Sequence, residues 1–374
     1  MVVCALSMEA AMASEKDLAV VFPSPRWEWR TPEQVGLSAD KLRELESFLS
    51  RQVPNKPYSR DEDLSRRIGC VVKDGYMVYA WGDQAAKFNW YSAAKPVLTT
   101  LLFLGIQDGR IDSVDAPISP YIPGLRGKDR GITFRHLADM TSGYACTEAP
   151  GAAWSYNDYA IQLYCLALEK ALGRSIKDAA HHYLAPLELE DGDIIGVNHR
   201  GRGVVTTARD LARVGWFWMN RGGWAGRRVL AQAYLDAYRR PDVPGKLPRS
   251  TSKQPDDYLE IGSYGGKHNQ GGPGPGIYGF NWWFNAEMGT SGKLALSAGP
   301  RDMFMAMGFA GNYMVMLPGQ GILVAARGSW DDIEPDNPAG SYNIAIRLLM
   351  EAIQPLADPS TQPKDGAATA TSQP

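Results

Sequence analysis

A serine and a lysine three residues apart on a helix can do chemistry together, and Ser92-Ala93-Ala94-Lys95 is such a pair. Positions i and i+3 share a helix face, so hydroxyl and amine become neighbours. A serine hydroxyl is a weak nucleophile until something takes its proton. An amine enclosed by apolar side chains gives up its own proton more readily and can serve as base or relay. A helix start adds free backbone N–H groups beside the serine oxygen. The spacing alone does not select, because it recurs at Ser38–Lys41 and Ser250–Lys253. What sets Ser92–Lys95 apart is the continuation. Val97, Leu98, Leu101, Leu102, Phe103, Leu104 and Ile106 make the following helix apolar on nearly all sides, the pattern of a buried helix. Ser38–Lys41 opens an amphipathic helix with Lys41 on its solvated face, and Ser250–Lys253 lies in a polar loop.

Two further segments could complete an acyl-transfer site. Trp154-Ser155-Tyr156-Asn157-Asp158-Tyr159 opens a helix reaching Leu172. A phenol beside an ammonium ionises more readily and can take a hydroxyl proton and deliver it to a leaving group. Tyr144 and Tyr159 are local rivals for that role. Met307-Gly308-Phe309-Ala310-Gly311-Asn312 lies between two strand patterns. Its glycines permit close backbone approach, and strand N–H groups can stabilise an oxyanion. Taken alone, this segment reads more readily as a glycine-marked β-bulge or hairpin turn. A Ser-His-Asp triad has less support, since no G-x-S-x-G elbow occurs. His136, His181 and His182 sit in helix patterns, His199 and His268 in loops. Without CxxC or HExxH, no metal site and no cofactor are expected.

These segments need a scaffold. The chain has 374 residues, 44% of them hydrophobic, enough for two folding units with a real core. Its 39 basic and 41 acidic side chains leave no electrostatic footprint for nucleic acid. No apolar run is long enough to span a membrane, and Cys4, Cys70, Cys146 and Cys165 do not make a disulfide scaffold. The expected partner is a small molecule, and the oligomeric state is not legible. Ser38 caps a helix whose apolar face is Leu42, Leu45 and Leu49. Asp74-Gly75 joins strand runs Ile68–Val72 and Met77–Trp81 into a hairpin. Thr207 opens another helix that ends at Asn220. Residues 241–276 read as a long surface loop, and loops of this length are usually functional or mobile. Strand runs follow at Phe280–Asn285, Lys293–Ser297, Met303–Gly308, Tyr313–Leu317 and Ile322–Ala326, then a helix from Ala339 to Ile353.

The expected class is therefore α+β. Residues 26–90 and 276–356 form one discontinuous sheet domain flanked by helices, and residues 91–275 a mostly helical insertion. Residues 357–374 read as a disordered tail. Residues 1–25 read as an N-terminal extension. Val2 to Met8 is apolar and Ala11-Met12-Ala13 is like a cleavage site, but Glu9 interrupts and no basic residue precedes. The reading leans to a cytoplasmic protein over an exported one. Trp90, Trp154, Trp282 and Trp283 are candidate walls of an apolar pocket. Trp282 and Trp283 alternate on a strand, so at most one faces a cleft.

In the order SxxK, tyrosine motif, glycine-marked strand, the chain resembles the serine β-lactamase-like superfamily over roughly residues 30–355. That group includes class C β-lactamases, D-alanyl-D-alanine carboxypeptidases, family VIII carboxylesterases and 6-aminohexanoate-dimer hydrolases. Three further stretches support the resemblance: Gly131 to Gly143, Gly203 to Arg213, and Tyr278-Gly279-Phe280-Asn281-Trp282-Trp283. The resemblance implies a β-lactamase/transpeptidase-like α/β sandwich. It implies Ser92 as acylated nucleophile, Lys95 as its partner, Tyr156 as base and acid, and the N–H groups of Ser92 and Asn312 as oxyanion hole. Asn157, Asp158, Phe309, Gly311 and Trp282 would meet substrate. The family's Tyr-x-Asn is Tyr156-Asn157-Asp158 here, leaving open whether Asn157 or Asp158 fills the third position. Its Lys-Thr-Gly is matched to Phe309-Ala310-Gly311, without the cation. The implied activity is hydrolysis of small esters or amides. The alternatives are a lactam- or D-alanyl peptide-directed enzyme, and a non-catalytic module retaining the fold.

Overall fold

The computed structural model describes residues 20–51, 67–192, 194, 203–263, 267–327 and 340–354. Strands Ile68–Lys73 (β1) and Tyr76–Trp81 (β2) flank Asp74-Gly75, whose φ values of 51° and 89° belong to a two-residue hairpin turn. The other sheet strands come about two hundred residues later: Tyr278–Gly279 (β3), Trp282–Phe284 (β4), Phe304–Gly308 (β5), Asn312–Leu317 (β6) and Ile322–Arg327 (β7). All seven make one antiparallel sheet in the order β2-β1-β7-β6-β5-β4-β3. Its centre joins the two stretches, with register from Ile68 opposite Arg327 to Lys73 opposite Ile322.

The helices are Ala39–Arg51 (α1), Lys95–Gln107 (α2), Phe134–Ala138 (α3), Asp158–Leu172 (α4), Ile176–Leu184 (α5), Ala208–Met219 (α6), Gln232–Tyr238 (α7) and Ser341–Glu351 (α8). Every residue of α2 from Lys95 to Gly105 is buried, as its apolar pattern requires. Thr207 caps α6 by accepting from Asp210 N at 3.2 Å. Although α6 lies mid-chain, it covers one sheet face. Gly215 lets it approach so closely that a Cβ there would stand 2.6 Å from Met314 Sδ and against Leu323. Tyr313 alternates to the opposite face and neighbours Tyr342 of α8.

Two strand runs differ from the sequence reading. Phe280–Asn285 is not one strand but the end of a tight hairpin, turned at Phe280-Asn281 with φ of 48° and 65°. Bulky residues disfavour that turn. Here Asp139 Oδ1 accepts from Phe280 N at 2.8 Å, and Thr99 Oγ1 donates to Phe280 O at 2.8 Å. Lys293–Ser297 forms a single bridge, Leu294 to Glu287, instead of a strand. The Asn285 side chain takes the place of a strand partner, accepting from Leu296 N at 2.8 Å and donating to Leu296 O at 3.0 Å. Among the described residues no helix is long and apolar enough to cross a membrane. The signal reading on residues 1–19 and the tail reading on 357–374 lie outside the described residues.

Candidate active site

Ser92 sits in the 3-10 turn Tyr91–Ala94 that leads into α2. Tyr91 has φ of 48°, a left-handed conformation uncommon for a side chain of its size. Asn89 Oδ1 supports it, accepting from Tyr91 N at 3.0 Å. Trp90 is fully buried, and its Nε1 donates to Thr206 O at 3.0 Å. These contacts hold Ser92 half-buried at the helix start with Lys95 one turn on. Lys95 Nζ donates to Ser92 Oγ and, at 2.9 Å, to Tyr156 Oη. It also lies 4.6 Å from the centre of the Tyr156 ring. The amine therefore stands between the two hydroxyls. In the two rival pairs, Lys41 turns to Glu44 and Glu351, and Ser250 Oγ donates to Glu148 at 2.8 Å.

Tyr156 reaches this point from an extended segment stitched on both sides. Trp154 N donates to Pro248 O, and Ser250 N to Trp154 O, at 2.8 and 2.9 Å. On the other side Gln270 N donates to Tyr156 O at 2.9 Å and Ser155 Oγ to His268 O at 2.6 Å. The 241–276 loop thus builds both flanks of the tyrosine segment. Asn157 ends it as the N-cap of α4, its Oδ1 accepting from Tyr159 N and Ala160 N at 3.0 and 3.1 Å. Its Nδ2 donates to Tyr144 O at 2.7 Å, so this amide is spent on structure. Asp158 is buried at the first position of α4, and its N donates to Lys267 O at 3.1 Å. Tyr144 is committed elsewhere. Its hydroxyl donates to Asp257 at 2.5 Å, and burial pushes its pKa up.

Aromatic rings back Tyr156. Trp283 stacks on it at 5.8 Å and 24°, while Tyr278 and Trp154 meet it edge-on or tilted at 6.2 Å. Burial, with Tyr156 nearby, pushes the Tyr278 phenol far above its ordinary value. Trp282 faces away, against Trp218 at 4.9 Å and Phe304 at 5.1 Å. The alternation expected for this pair holds, and Trp283 is the member beside Tyr156. Its place was hidden because the sequence does not say which face of a three-residue strand looks inward.

The glycine segment meets Ser92 through Gly308. A Cβ there would lie 2.5 Å from Trp90 O, 2.7 Å from Ala93 N and 3.2 Å from Ser92 N. Asn312 lies one strand further in, paired with Gly308 on one side and Arg327 on the other. In such a ladder the N–H points at a neighbouring strand, within the sheet. The Asn312 side chain is the part that reaches towards the site, with Nδ2 donating to Phe309 O at 2.8 Å and Asn89 O at 3.3 Å. Phe309 follows Gly308, is exposed, and meets the Tyr91 ring at 5.2 Å. Gly311, with φ of 66°, closes the short turn back into β6. Among the described residues no cluster of His, Cys, Asp and Glu is arranged to hold a metal.

The beta-lactamase family profile matches residues 69–348, most of the chain. The chain belongs to the beta-lactamase family. Solved structures of the same fold include a candidate 6-aminohexanoate-dimer hydrolase from Bacillus anthracis, at 17% identity and TM-score 0.58, covering 89% of this chain and 91% of that one. EstCE1, a hydrolase with promiscuous acyltransferase activity, matches at 15% identity and TM-score 0.55, covering 84% and 98%. An octameric penicillin-binding protein homologue from Pyrococcus abyssi matches at 15% and TM-score 0.55, covering 83% and 77%. At these identities the likeness shows the beta-lactamase fold. No curated protein matches the sequence significantly.

Proposed function

We propose that this member of the beta-lactamase family hydrolyses small esters or amides through an acyl-enzyme on Ser92. The observation that carries the reading is the single amine, Lys95 Nζ, bonded to both Ser92 Oγ and Tyr156 Oη. The proton path from nucleophile to phenol runs through it. As Ser92 Oγ bonds to the acyl carbon, its proton passes to Lys95 while Lys95 passes one on to the Tyr156 oxygen. Tyr156 then protonates the leaving group. Water repeats the sequence in reverse and frees the acid. The Ser92 N–H and that of Phe309, next to Gly308, are the proposed oxyanion donors, in place of Asn312. Ester or amide is preferred over lactam or peptide because neither Phe309-Ala310-Gly311 nor the strand end Ala306-Met307-Gly308 supplies a lysine. Phe309 and Tyr91 place an aromatic pair there instead. A fluorophosphonate probe should label Ser92, as mapped by mass spectrometry, and p-nitrophenyl butyrate should be turned over faster than nitrocefin. An unlabelled Ser92 in folded protein would sink the proposal.

A further inference from the structure

Arg249 stands out among the cations around the site. It lies in the loop that flanks the tyrosine segment, opposite Trp154 in a bridge between the two segments. Its guanidinium stacks over the Trp154 ring at 5.0 Å, and that ring contacts both Tyr156 and Trp283. Nη2 donates to Gly272 O and Pro273 O, both at 2.8 Å. A guanidinium has five N–H donors, and one nitrogen's pair accounts for two of them. Gly274, with φ of 89°, seats the group so closely that any Cβ there would meet Nη2 and Cζ. Arg249 remains exposed at its outer edge.

Other arginines differ. Arg135 has Asp115 and Asp242, and Arg209 has Asp191 and Glu190. Among the described residues no carboxylate pairs with Arg249. Partial burial lowers its pKa with no anion to offset that cost. A planar cation lying over an indole, oriented by two carbonyls and without a carboxylate partner among the described residues, is available for the paired hydrogen bonds a carboxylate takes from arginine.

We propose that Arg249, on its Trp154 platform, binds a carboxylate of the substrate several bonds from the carbonyl attacked by Ser92. The preferred substrates are then esters or amides of dicarboxylic acids, with the free carboxylate on the acyl part. This rests on the hydrolase reading above and narrows it.

The test compares the mono-p-nitrophenyl ester of adipic acid with p-nitrophenyl hexanoate, which has the same chain length and no charge. Wild type should favour the charged ester in kcat/KM, mainly through KM. In Arg249→Met the charged-to-neutral ratio should fall about tenfold or more, and Arg249→Lys should restore part of it. A purely structural clasp would lower both esters together, so an unchanged ratio overturns the proposal. Calorimetric titration of adipate into folded wild type and Arg249→Met adds a readout independent of turnover. Binding that is equal in the two proteins also overturns it. Failure to hydrolyse the neutral ester would instead strike the hydrolase reading, because that substrate makes no demand on Arg249.

Discussion

The turn that presents Ser92 and the segment that presents Tyr156 meet at one amine, yet they are held in opposite ways. The Ser92 turn is fixed by apolar burial. Trp90 and all of α2 to Gly105 are enclosed, and a glycine strand end presses against the backbone. The tyrosine segment, though rings back Tyr156, is tied along its backbone by polar stitching. Backbone bonds from residues 248–250 and 267–270 hold its flanks, and the Asn157 cap ends it. Apolar packing is cooperative and resists local opening, whereas loop hydrogen bonds open more easily. The Ser92 turn is thus expected to be rigid and the Tyr156 segment adjustable.

Substitutions can break this contrast. The largest effect is expected at the joint, where Lys95→Met should lower kcat for p-nitrophenyl butyrate by about 10²–10⁴ while the fold persists. A smaller loss would mean that the two hydroxyls do not communicate through Lys95. On the rigid side, Gly308→Ala should cost about 1–3 kcal/mol in urea unfolding, because its Cβ meets backbone that cannot swing aside. It should also slow fluorophosphonate labelling of Ser92. Unchanged labelling would show that the turn is softer than its packing suggests. On the adjustable side, Asn157→Ala removes the cap of α4 and should cost about 1–2 kcal/mol. Hydrogen exchange should rise in residues 154–160 first. A global rise without that local signature would erase the distinction.

The smallest effect tests the base of the β3–β4 hairpin. Asp139 is buried, and desolvation together with Asp242 raises its pKa well above the carboxylate range. Such an acid is protonated when folded but ionised when unfolded above about pH 4. Its contribution is therefore fully present below the unfolded value and is lost as pH rises through the folded one. Asp139→Asn keeps an acceptor for Phe280 N and a donor towards Asp242. It should raise Tm slightly, and more at pH 8 than at pH 5. An equal shift at both would show that Asp139 is ionised in the fold.

What the sequence disclosed follows the same contrast. The Asp74-Gly75 hairpin, the Ser38 and Thr207 caps and the buried α2 were legible because each depends on neighbours within one turn or one face. The order of motifs across the chain was legible through its resemblance to the superfamily. The hairpin at Phe280-Asn281 was not, since its residues disfavour the turn and distant partners impose it. Nor could spacing show that Gly308 touches the Ser92 turn, that Asn157 is consumed as a cap, or that Trp283 and not Trp282 backs Tyr156. Those facts depend on which strand faces which loop, and the linear chain does not carry that information.

The sheet's centre joins β1 to β7, so Ile68 finds Arg327 only after most of the chain exists. During synthesis Ser92, Lys95 and Tyr156 all emerge well before the strand end at Gly308 that braces the serine turn. Pairings this distant are slow and wait on the last strands. A nascent chain therefore carries Ser92, Lys95 and Tyr156 while the Ser92 turn is still unbraced. Chemical competence should arrive as a late step, with closure of the sheet, and not grow in proportion to chain length.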